Sequence, residues 1–255
     1  MFRDHTQPRT QALTTINDAI RQAAERLNDR GFQVHTSASA DAGETKLLVR
    51  RGLIEVKIEV NFVTRGTIHP VKAASLTPKA SEILLADLEL PVVSLEDSYG
   101  SKLAAAMDRQ HPRDLFDVMQ LFEHEGITPG IQQAFVVSLA SHNRPIHEVL
   151  FPPKRDIAQD YAGTFRGMTI EPVALEDLLT ARERMLSVLQ KSLNPAERNF
   201  LISVARNEVD WSQLDIPHLA DLPAIRWKLQ NVAQLAKINP RKFEAQAVAL
   251  EQALS

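Results

Sequence analysis

The sequence predicts an α+β protein, in which an incomplete mixed sheet with helices is followed by an all-helical part. From Ile54 to Phe62 apolar and polar residues alternate strictly, and this period of two is typical of a half-buried strand. After Gly126 the alternation disappears, and apolar residues recur at the three- and four-residue steps of helices. We therefore predict a mixed α/β domain over residues 1–126 and a helical domain over residues 127–255.

Local patterns define the elements of the first domain. Gly31 is placed to end an amphipathic helix, and Gly52 to turn one strand into the next as a hairpin. Ser94, with Asp97 three residues on, has the pattern of a capping box at the start of a helix. In chain order the sequence predicts a helix over 10–30, a strand over 32–36, a loop over 37–44, strands over 46–49 and 54–62, a connector over 70–75, a helix over 77–88, an extended segment over 91–95, and helices over 94–108 and 112–125.

Helical patterns fill the second domain. They occupy residues 129–142, 174–191, 195–207, 222–236 and 240–253. Pro152 and Pro153 interrupt them, as does the stretch around Gly163 and Gly167, because these residues break helices.

Composition excludes several classes of protein. The net charge is -3 and the pI about 6.3, so any contact with RNA has to be a local patch. The chain has no cysteine, which excludes disulfides and thiolate chemistry. No apolar run approaches the roughly 20 residues of a membrane span, and the polar N-terminus lacks the apolar centre of a signal peptide. We therefore expect a soluble cytoplasmic protein without membrane contact.

The two faces of the alternating strand differ in chemistry. The apolar face consists of Ile54, Val56, Ile58, Val60 and Phe62, and the polar face of Glu55, Lys57, Glu59 and Asn61. We expect the apolar face to be buried on one side of a sheet. The polar face is either a solvated surface, which is ordinary for such sheets, or a place where Glu59 supplies a carboxylate to a metal–nucleotide site. Magnesium usually binds one or two carboxylates together with substrate phosphates.

A second charged cluster consists of Lys102, Arg109, Arg113, Asp114 and Asp117. One interpretation is structural. The dipole of a new helix stabilises Asp114 in its first turn, Arg113 pairs with a neighbouring acid, and Lys102 is a surface residue beside an apolar stripe. The other interpretation is a site for anionic substrates.

Three stretches of the chain carry a resemblance to a known family. They read IEVKIEVNF, PVVSLEDSYGSKLAA and RQHPRDLFDV, and they contain the arrangement KLxA…R…RDxxD. This order resembles the AbiEii/AbiGii nucleotidyltransferase family, whose members include toxins of toxin–antitoxin and phage-defence systems. The later stretch LPAIRWKL, over residues 222–229, is similar to the helical tail of one subfamily, so the resemblance covers nearly the whole chain.

The resemblance implies a site and a reaction. In this family a mixed sheet binds a magnesium–nucleotide, and a nucleotidyl group passes from an NTP to an acceptor such as the end of a tRNA. Lys102 matches the lysine near the triphosphate, and Asp117 with Asp114 matches the acids that organise the site or activate the acceptor hydroxyl. Arg113 matches an arginine expected to hold those acids or to bind phosphate, and Glu59 occupies the position of a further metal-binding carboxylate.

One part of the family pattern is missing. Members carry a Gly-Gly-Thr or Gly-Ser turn followed by an Asp-x-Asp pair, which supplies the principal metal ligands. This sequence contains no Asp-x-Asp. The family order places that strand just before the first helix, so we expect the first domain to be truncated at its N-terminus. We also expect poor Mg²⁺ binding, impaired activity and an exposed sheet edge that invites self-association.

Three hypotheses about function follow. The chain is an impaired toxin-like nucleotidyltransferase, or it is a catalytically inactive family member that acts as a binding protein, with an antitoxin protein as a partner. The third is an unrelated helical nucleic-acid-binding module. The acidic charge balance and the absence of a concentrated Lys/Arg stripe disfavour this last class.

Overall fold

The computed structural model describes residues 9–39, 43–59 and 66–255 and has two compact units, Met1–Gly66 and Thr67–Ser255. The first unit contains α1 (Arg9–Asp29), β1 (Gln33–Ser39), β2 (Gly43–Arg51) and β3 (Ile54–Glu59). Its strands form an antiparallel sheet in the order β1-β2-β3. The hairpin predicted at Gly52 is confirmed, and this glycine has a φ of 62° that favours glycine. Both strands around the predicted loop are longer than expected, with β1 reaching Ser39 and β2 beginning at Gly43.

The apolar face of β3 is exposed, so the predicted burial of Ile54, Val56 and Ile58 is wrong; Ile54 is 70% exposed. Val56 pairs directly with Val49 of β2, and therefore points to the same side of the sheet. Helix α1 packs on β1 and β2, where it buries Leu47 and Val49. As an edge strand, β3 extends beyond this cover. Val60 and Phe62 lie outside the described residues.

The second unit is mostly helical. Its elements are β4 (Lys72–Ser75), α2 (Pro78–Leu84), β5 (Glu89–Val92), α3 (Leu95–Arg109), α4 (Pro112–Glu123), α5 (Pro129–Ala140), α6 (Ile146–Leu150), α7 (Ala158–Asp160), a π-helical turn (Tyr161–Phe165), α8 (Leu175–Ser192), α9 (Pro195–Ala205), 3₁₀ helices (Trp211–Gln213 and Leu219–Asp221), α10 (Pro223–Ile238) and α11 (Pro240–Leu254). Strands β4 and β5 pair antiparallel. The predicted connector over 70–75 therefore contains a strand. Helix α2 ends at Leu84 rather than near residue 88, because Leu85 takes a left-handed conformation. The architecture confirms the α+β class.

One apolar core holds the second unit together. Leu103 and Leu115, which precede Gly126, belong to the same buried cluster as Phe135 and Phe200, which follow it. The compact units divide at Gly66, while the functional division into residues 1–126 and 127–255 stays a prediction. Within the described ranges, no helix is both long and apolar enough to cross a membrane.

Candidate functional site

Helices α3 and α4 form a tight hairpin that carries the charged cluster. Ser94 caps the start of helix α3, where its Oγ accepts a hydrogen bond from the Asp97 N–H at 3.0 Å, as the capping pattern predicted. Helix α4 begins with Pro112 after His111, whose Nδ1 accepts from the Arg113 N–H at 3.2 Å. The inner faces of both helices are apolar and buried in the core. The charged residues consequently project from the outer faces.

The turn between the two helices is fixed by Gln110. This residue is fully buried and takes a left-handed conformation with a φ of 51°. Its Nε2 donates to the Pro153 carbonyl at 2.8 Å, and its Oε1 accepts from the Arg155 N–H at 3.1 Å and from Arg182 Nη1 at 3.4 Å. The turn is therefore tied to the segment before α7 and to helix α8.

Two ion pairs link the outer faces of α3 and α4. Lys102 Nζ lies 2.5 Å from Asp117 Oδ2, and both side chains are about half exposed. Arg109 binds Asp114 with two hydrogen bonds, from Nε to Oδ2 at 3.0 Å and from Nη2 to Oδ1 at 2.6 Å. This bidentate pair is the stronger type, and the side chain of Asp114 is only 17% exposed. The structure thus brings three of the candidate residues, Lys102, Asp114 and Asp117, onto one surface.

Arg113 points to a different neighbour. Its Nη2 donates to the Thr164 carbonyl in the π-helical turn at 3.3 Å, and Arg109 takes the place beside Asp114. Sequence reasoning included Arg109 in the cluster but gave it no role. Arg109 precedes Asp114 by five residues, outside the three- and four-residue steps that relate neighbours on one helix. Only the geometry of the turn shows that the two side chains meet.

Glu59 belongs to the first unit, whereas the other candidate residues belong to the second. It is the last residue of β3, and its Oε1 lies 3.1 Å from Lys46 Nζ and 2.9 Å from Lys57 Nζ. Hydrogen bonds from Lys57 and Lys46 hold the pKa of the Glu59 carboxyl below its ordinary value of 4.5. In this conformation the carboxylate is bound by cations of its own sheet.

Comparison with known proteins identifies the family. A family model described as "Nucleotidyl transferase AbiEii toxin, Type IV TA system" matches residues 3–231. The chain belongs to the AbiEii family. The resemblance read from the sequence is thereby confirmed, and both ion pairs lie within the matched range. Searches of curated proteins and of solved structures found no match.

Within residues 9–39, 43–59 and 66–255, the carboxylates of this AbiEii-family chain form no group that could hold a magnesium ion. Among the residues that the structure describes, no group of three or more His, Cys, Asp or Glu side chains is placed to hold a metal ion. Asp114 and Asp117 are each engaged by a cation, and Glu59 is engaged by two. Magnesium requires oxygen ligands in near-octahedral geometry, and this arrangement does not offer them.

Proposed function

We propose that this AbiEii-family chain is a nucleotidyltransferase that moves a nucleotidyl group from an NTP to an acceptor such as the end of a tRNA. We propose further that the transfer is impaired in this chain. The observation that supports the site is the α3–α4 hairpin, which gathers Lys102, Arg109, Asp114 and Asp117 on one exposed surface. Cations and carboxylates side by side suit a substrate that carries both a polyphosphate and a hydroxyl to be activated.

Four residues, Lys102, Arg113, Asp114 and Asp117, have proposed roles in the reaction. Lys102 offsets negative charge on the triphosphate, and Arg113 binds phosphate after leaving the Thr164 carbonyl. The acceptor hydroxyl oxygen bonds to the α-phosphorus while the bond to pyrophosphate breaks. Asp117, assisted by Asp114, takes the proton of that hydroxyl. The chemistry of such enzymes calls for Mg²⁺ as a cofactor, and the carboxylates that the structure describes do not fit this ion.

The proposed impairment rests on which carboxylates are present to bind a metal ion. The sequence contains no Asp-x-Asp, and the remaining acids of the candidate site are bound by lysine or arginine. Metal-assisted phosphoryl transfer depends on ions that bridge the phosphates and neutralise the developing charge. A chain whose acids are engaged in ion pairs is expected to bind such ions weakly.

A transfer assay tests the proposal. The purified chain is incubated with Mg²⁺, a tRNA pool and each of the four α-³²P-labelled NTPs, and labelled RNA is quantified on a gel. We expect slow transfer that is abolished by Lys102→Ala and by Asp117→Asn. The matched control is Lys237→Ala, which removes an exposed lysine from the last turn of α10 and should leave the rate unchanged. Transfer that persists in both site variants would contradict the assigned residues.

The second candidate function is that of a catalytically inactive binding protein. A run of exposed apolar residues in the second unit favours it. Between residues 83 and 95 the chain exposes Ile83, Leu84, Leu85, Leu88, Leu90, Val92 and Leu95. Large exposed apolar surfaces mark interaction sites, and an antitoxin protein is the partner proposed for a toxin–antitoxin chain. No transfer to any RNA, together with a stable complex with a co-expressed antitoxin, would support this candidate over the enzyme.

Self-association is a further part of the proposal. In the described part of the first unit, β3 pairs with β2 on one side and with no strand on the other. An unpaired edge with exposed apolar residues invites pairing with another chain. Light scattering at high micromolar concentration should show a dimer or larger species, and a monomer would contradict this part.

We also propose a cytoplasmic location and a role in phage defence. The location is proposed because NTPs and tRNA are cytoplasmic, and the role in defence because members of the family include toxins of phage-defence systems. Cell fractionation tests the location, and plaque counts on cells that carry or lack the gene with its antitoxin test the role in defence.

A further inference from the structure

A cleft in the second unit has no role in the proposed reaction. It lies between the starts of α5 and α9 and the segment around Gln213, and its volume of about 530 Å³ is within the range that holds small ligands. Ile127, Pro129 and Leu214 form the apolar part of its lining, and the other side chains that line it are polar. None of the described residues that line it is Lys, Arg or His, so an anionic ligand finds no side-chain cation there.

Glu197 is the buried acid of this cleft. The residue is only 6% exposed, and its Oε2 accepts hydrogen bonds from the Asn194 N–H at 2.9 Å and from Gln132 Nε2 at 2.8 Å. The bond from Asn194 completes the capping box of α9, which needs one carboxylate oxygen only. Within the described part of the chain, Oε1 has no hydrogen-bond partner, and it is not a fully buried atom. A cationic donor that reaches this oxygen would be bound more strongly than at an exposed acid, because less water competes there.

Other acceptors in the cleft also lack donors. Asp215 is exposed and forms no hydrogen bond or ion pair with the residues that the structure describes. Gln132 and Gln213 both use their Nε2 groups as donors, and their amide oxygens accept no hydrogen bond from the same residues. The cleft therefore offers several free carboxylate and amide oxygens, which suit a ligand that is rich in N–H groups.

The two helix starts do not reverse the charge of the cleft. Each helix N-terminus has a partial charge of roughly +0.5, so the starts of α5 and α9 contribute about +1. The carboxylates of Glu197 and Asp215 contribute about −2. A net charge of about −1 is left, which a singly charged cation balances.

A guanidinium suits this lining better than an ammonium. It is planar and has five N–H donors, and it is more weakly hydrated, so it loses less when it lies beside a mostly buried carboxylate. Ile127, Pro129 and Leu214 suit the methylene groups of an arginine side chain. Free arginine would also bring an α-carboxylate, for which the lining has no cation, whereas an arginine inside a polypeptide has no such group.

We propose that this cleft is a docking site for an arginine side chain of a protein partner. The guanidinium donates to Glu197 Oε1 and to the carboxylate of Asp215, while the methylene groups lie against the apolar part of the lining. Arginine anchors in desolvated pockets carry much of the binding energy of protein interfaces. The cleft thereby gives the second unit a site that recognises a basic segment, and this binding is independent of nucleotidyl transfer.

Blocked tripeptides test this docking site. The ¹⁵N-labelled full chain is titrated in about 0.1 M salt with acetyl-Gly-Arg-Gly-amide, and with the same peptide in which neutral citrulline replaces arginine, and NMR shifts give the affinities. We expect the arginine peptide to bind at least roughly tenfold more tightly, because citrulline has the same shape without the charge. Glu197→Gln should weaken binding of the arginine peptide roughly tenfold, since glutamine retains the capping box but not the charge. Asp215→Asn, at an exposed position, should weaken it roughly threefold.

Glu176→Gln is the matched control for a general effect of net charge. Gln132 Nε2 donates to the Ser192 carbonyl at 2.8 Å, so the last residue of α8 lies next to the cleft. Glu176 lies in the first turn of this helix, about 24 Å away along its axis. This distance exceeds the screening length of about 10 Å at 0.1 M salt, so the control should bind the arginine peptide as tightly as the parent chain does.

Several results would overturn the docking site. They are the absence of binding by the arginine peptide, equal affinity for the citrulline peptide, an equal loss in Glu176→Gln, and an affinity that Glu197→Gln leaves unchanged. Tighter binding of spermidine than of the arginine peptide would also overturn it, because the cleft would then be a polyamine site. Urea unfolding of each variant shows whether it is folded. If Glu197→Gln is unfolded, Asp215→Asn decides, and an unchanged affinity in that variant refutes the proposal.

Discussion

Replacement of Gln110 by glycine separates two effects that oppose each other at the α3–α4 turn. The residue has a left-handed φ of 51°, which glycine adopts without strain. Its side chain is fully buried and binds the Pro153 carbonyl, the Arg155 N–H and Arg182 Nη1. Glycine relieves the backbone and removes all three hydrogen bonds.

The hydrogen bonds outweigh the backbone strain. Three hydrogen bonds to the buried Gln110 side chain are lost, and each contributes about 0.5–1.5 kcal/mol. Relief of the left-handed conformation returns only about 1–2 kcal/mol. We therefore expect Gln110→Gly to lower the free energy of unfolding by about 1–3 kcal/mol.

Leu85 provides the matched control. It also has a left-handed φ, of 49°, at the end of α2, but its side chain is 91% exposed. Leu85→Gly relieves similar strain without loss of packing, and it should leave stability unchanged or raise it by up to about 1 kcal/mol. Urea unfolding followed by circular dichroism measures both free energies. If Gln110→Gly is as stable as the parent chain, the buried hydrogen bonds do not fix the turn and the reasoning fails.

Three further substitutions test other features of the second unit. A Cβ on Gly100 would lie 2.5–2.6 Å from backbone atoms of α5, so Gly100→Ala should lower the free energy of urea unfolding by about 1–3 kcal/mol. A Cβ on Gly163 meets nothing within 4 Å, so Gly163→Ala should leave this free energy unchanged. Asp97 accepts hydrogen bonds from the Ile68 and His69 N–H groups at 2.8 and 2.9 Å, so Asp97→Ala should speed hydrogen exchange at these two amides while the α3 interior stays protected. Burial lowers the pKa of Lys228 from 10.5 to about 8, and the unfolded chain holds this proton up to the higher value. The free energy of unfolding should therefore rise by up to about 3 kcal/mol between pH 8 and 10.5, and this gain should be lost again as the pH falls through 8. In Lys228→Met the urea midpoint should not show this dependence on pH.

Helices of the second unit were predictable because their signals are local. Ser94 marks the start of α3, Pro112 that of α4 and Thr128 that of α5, and the apolar spacing of each helix matches the face that it buries. Helix α2 ends before the predicted residue 88 because Leu85 adopts a left-handed conformation, which a leucine in the sequence does not predict. Strands β4 and β5, which precede and follow α2 in the chain, have four residues each. They are therefore too short to show the period-two pattern of a strand in the sequence.

The exposed apolar face of β3 shows a limit of periodicity. Alternation at Ile54, Val56 and Ile58 correctly predicted which side chains share a face. It could not predict whether a helix covers that face, because this depends on where α1 crosses the sheet. Leu47 and Val49 on β2 are buried because α1 packs on β1 and β2, and this cover does not reach β3.

The motif of the candidate site contains two kinds of residue: buried residues that position the helices, and charged residues on the outer faces of these helices. Leu103 and Leu115 lie in the core and set the spacing of the helices, while Gln110 sets the turn between them. The charges on the outer faces meet only because this scaffold holds α3 against α4. A five-residue separation such as that of Arg109 and Asp114 has no meaning on a continuous helix, but it becomes a bidentate contact across a two-residue turn. Loss of the Gln110 anchor should therefore lower both the affinity for triphosphate and the free energy of unfolding.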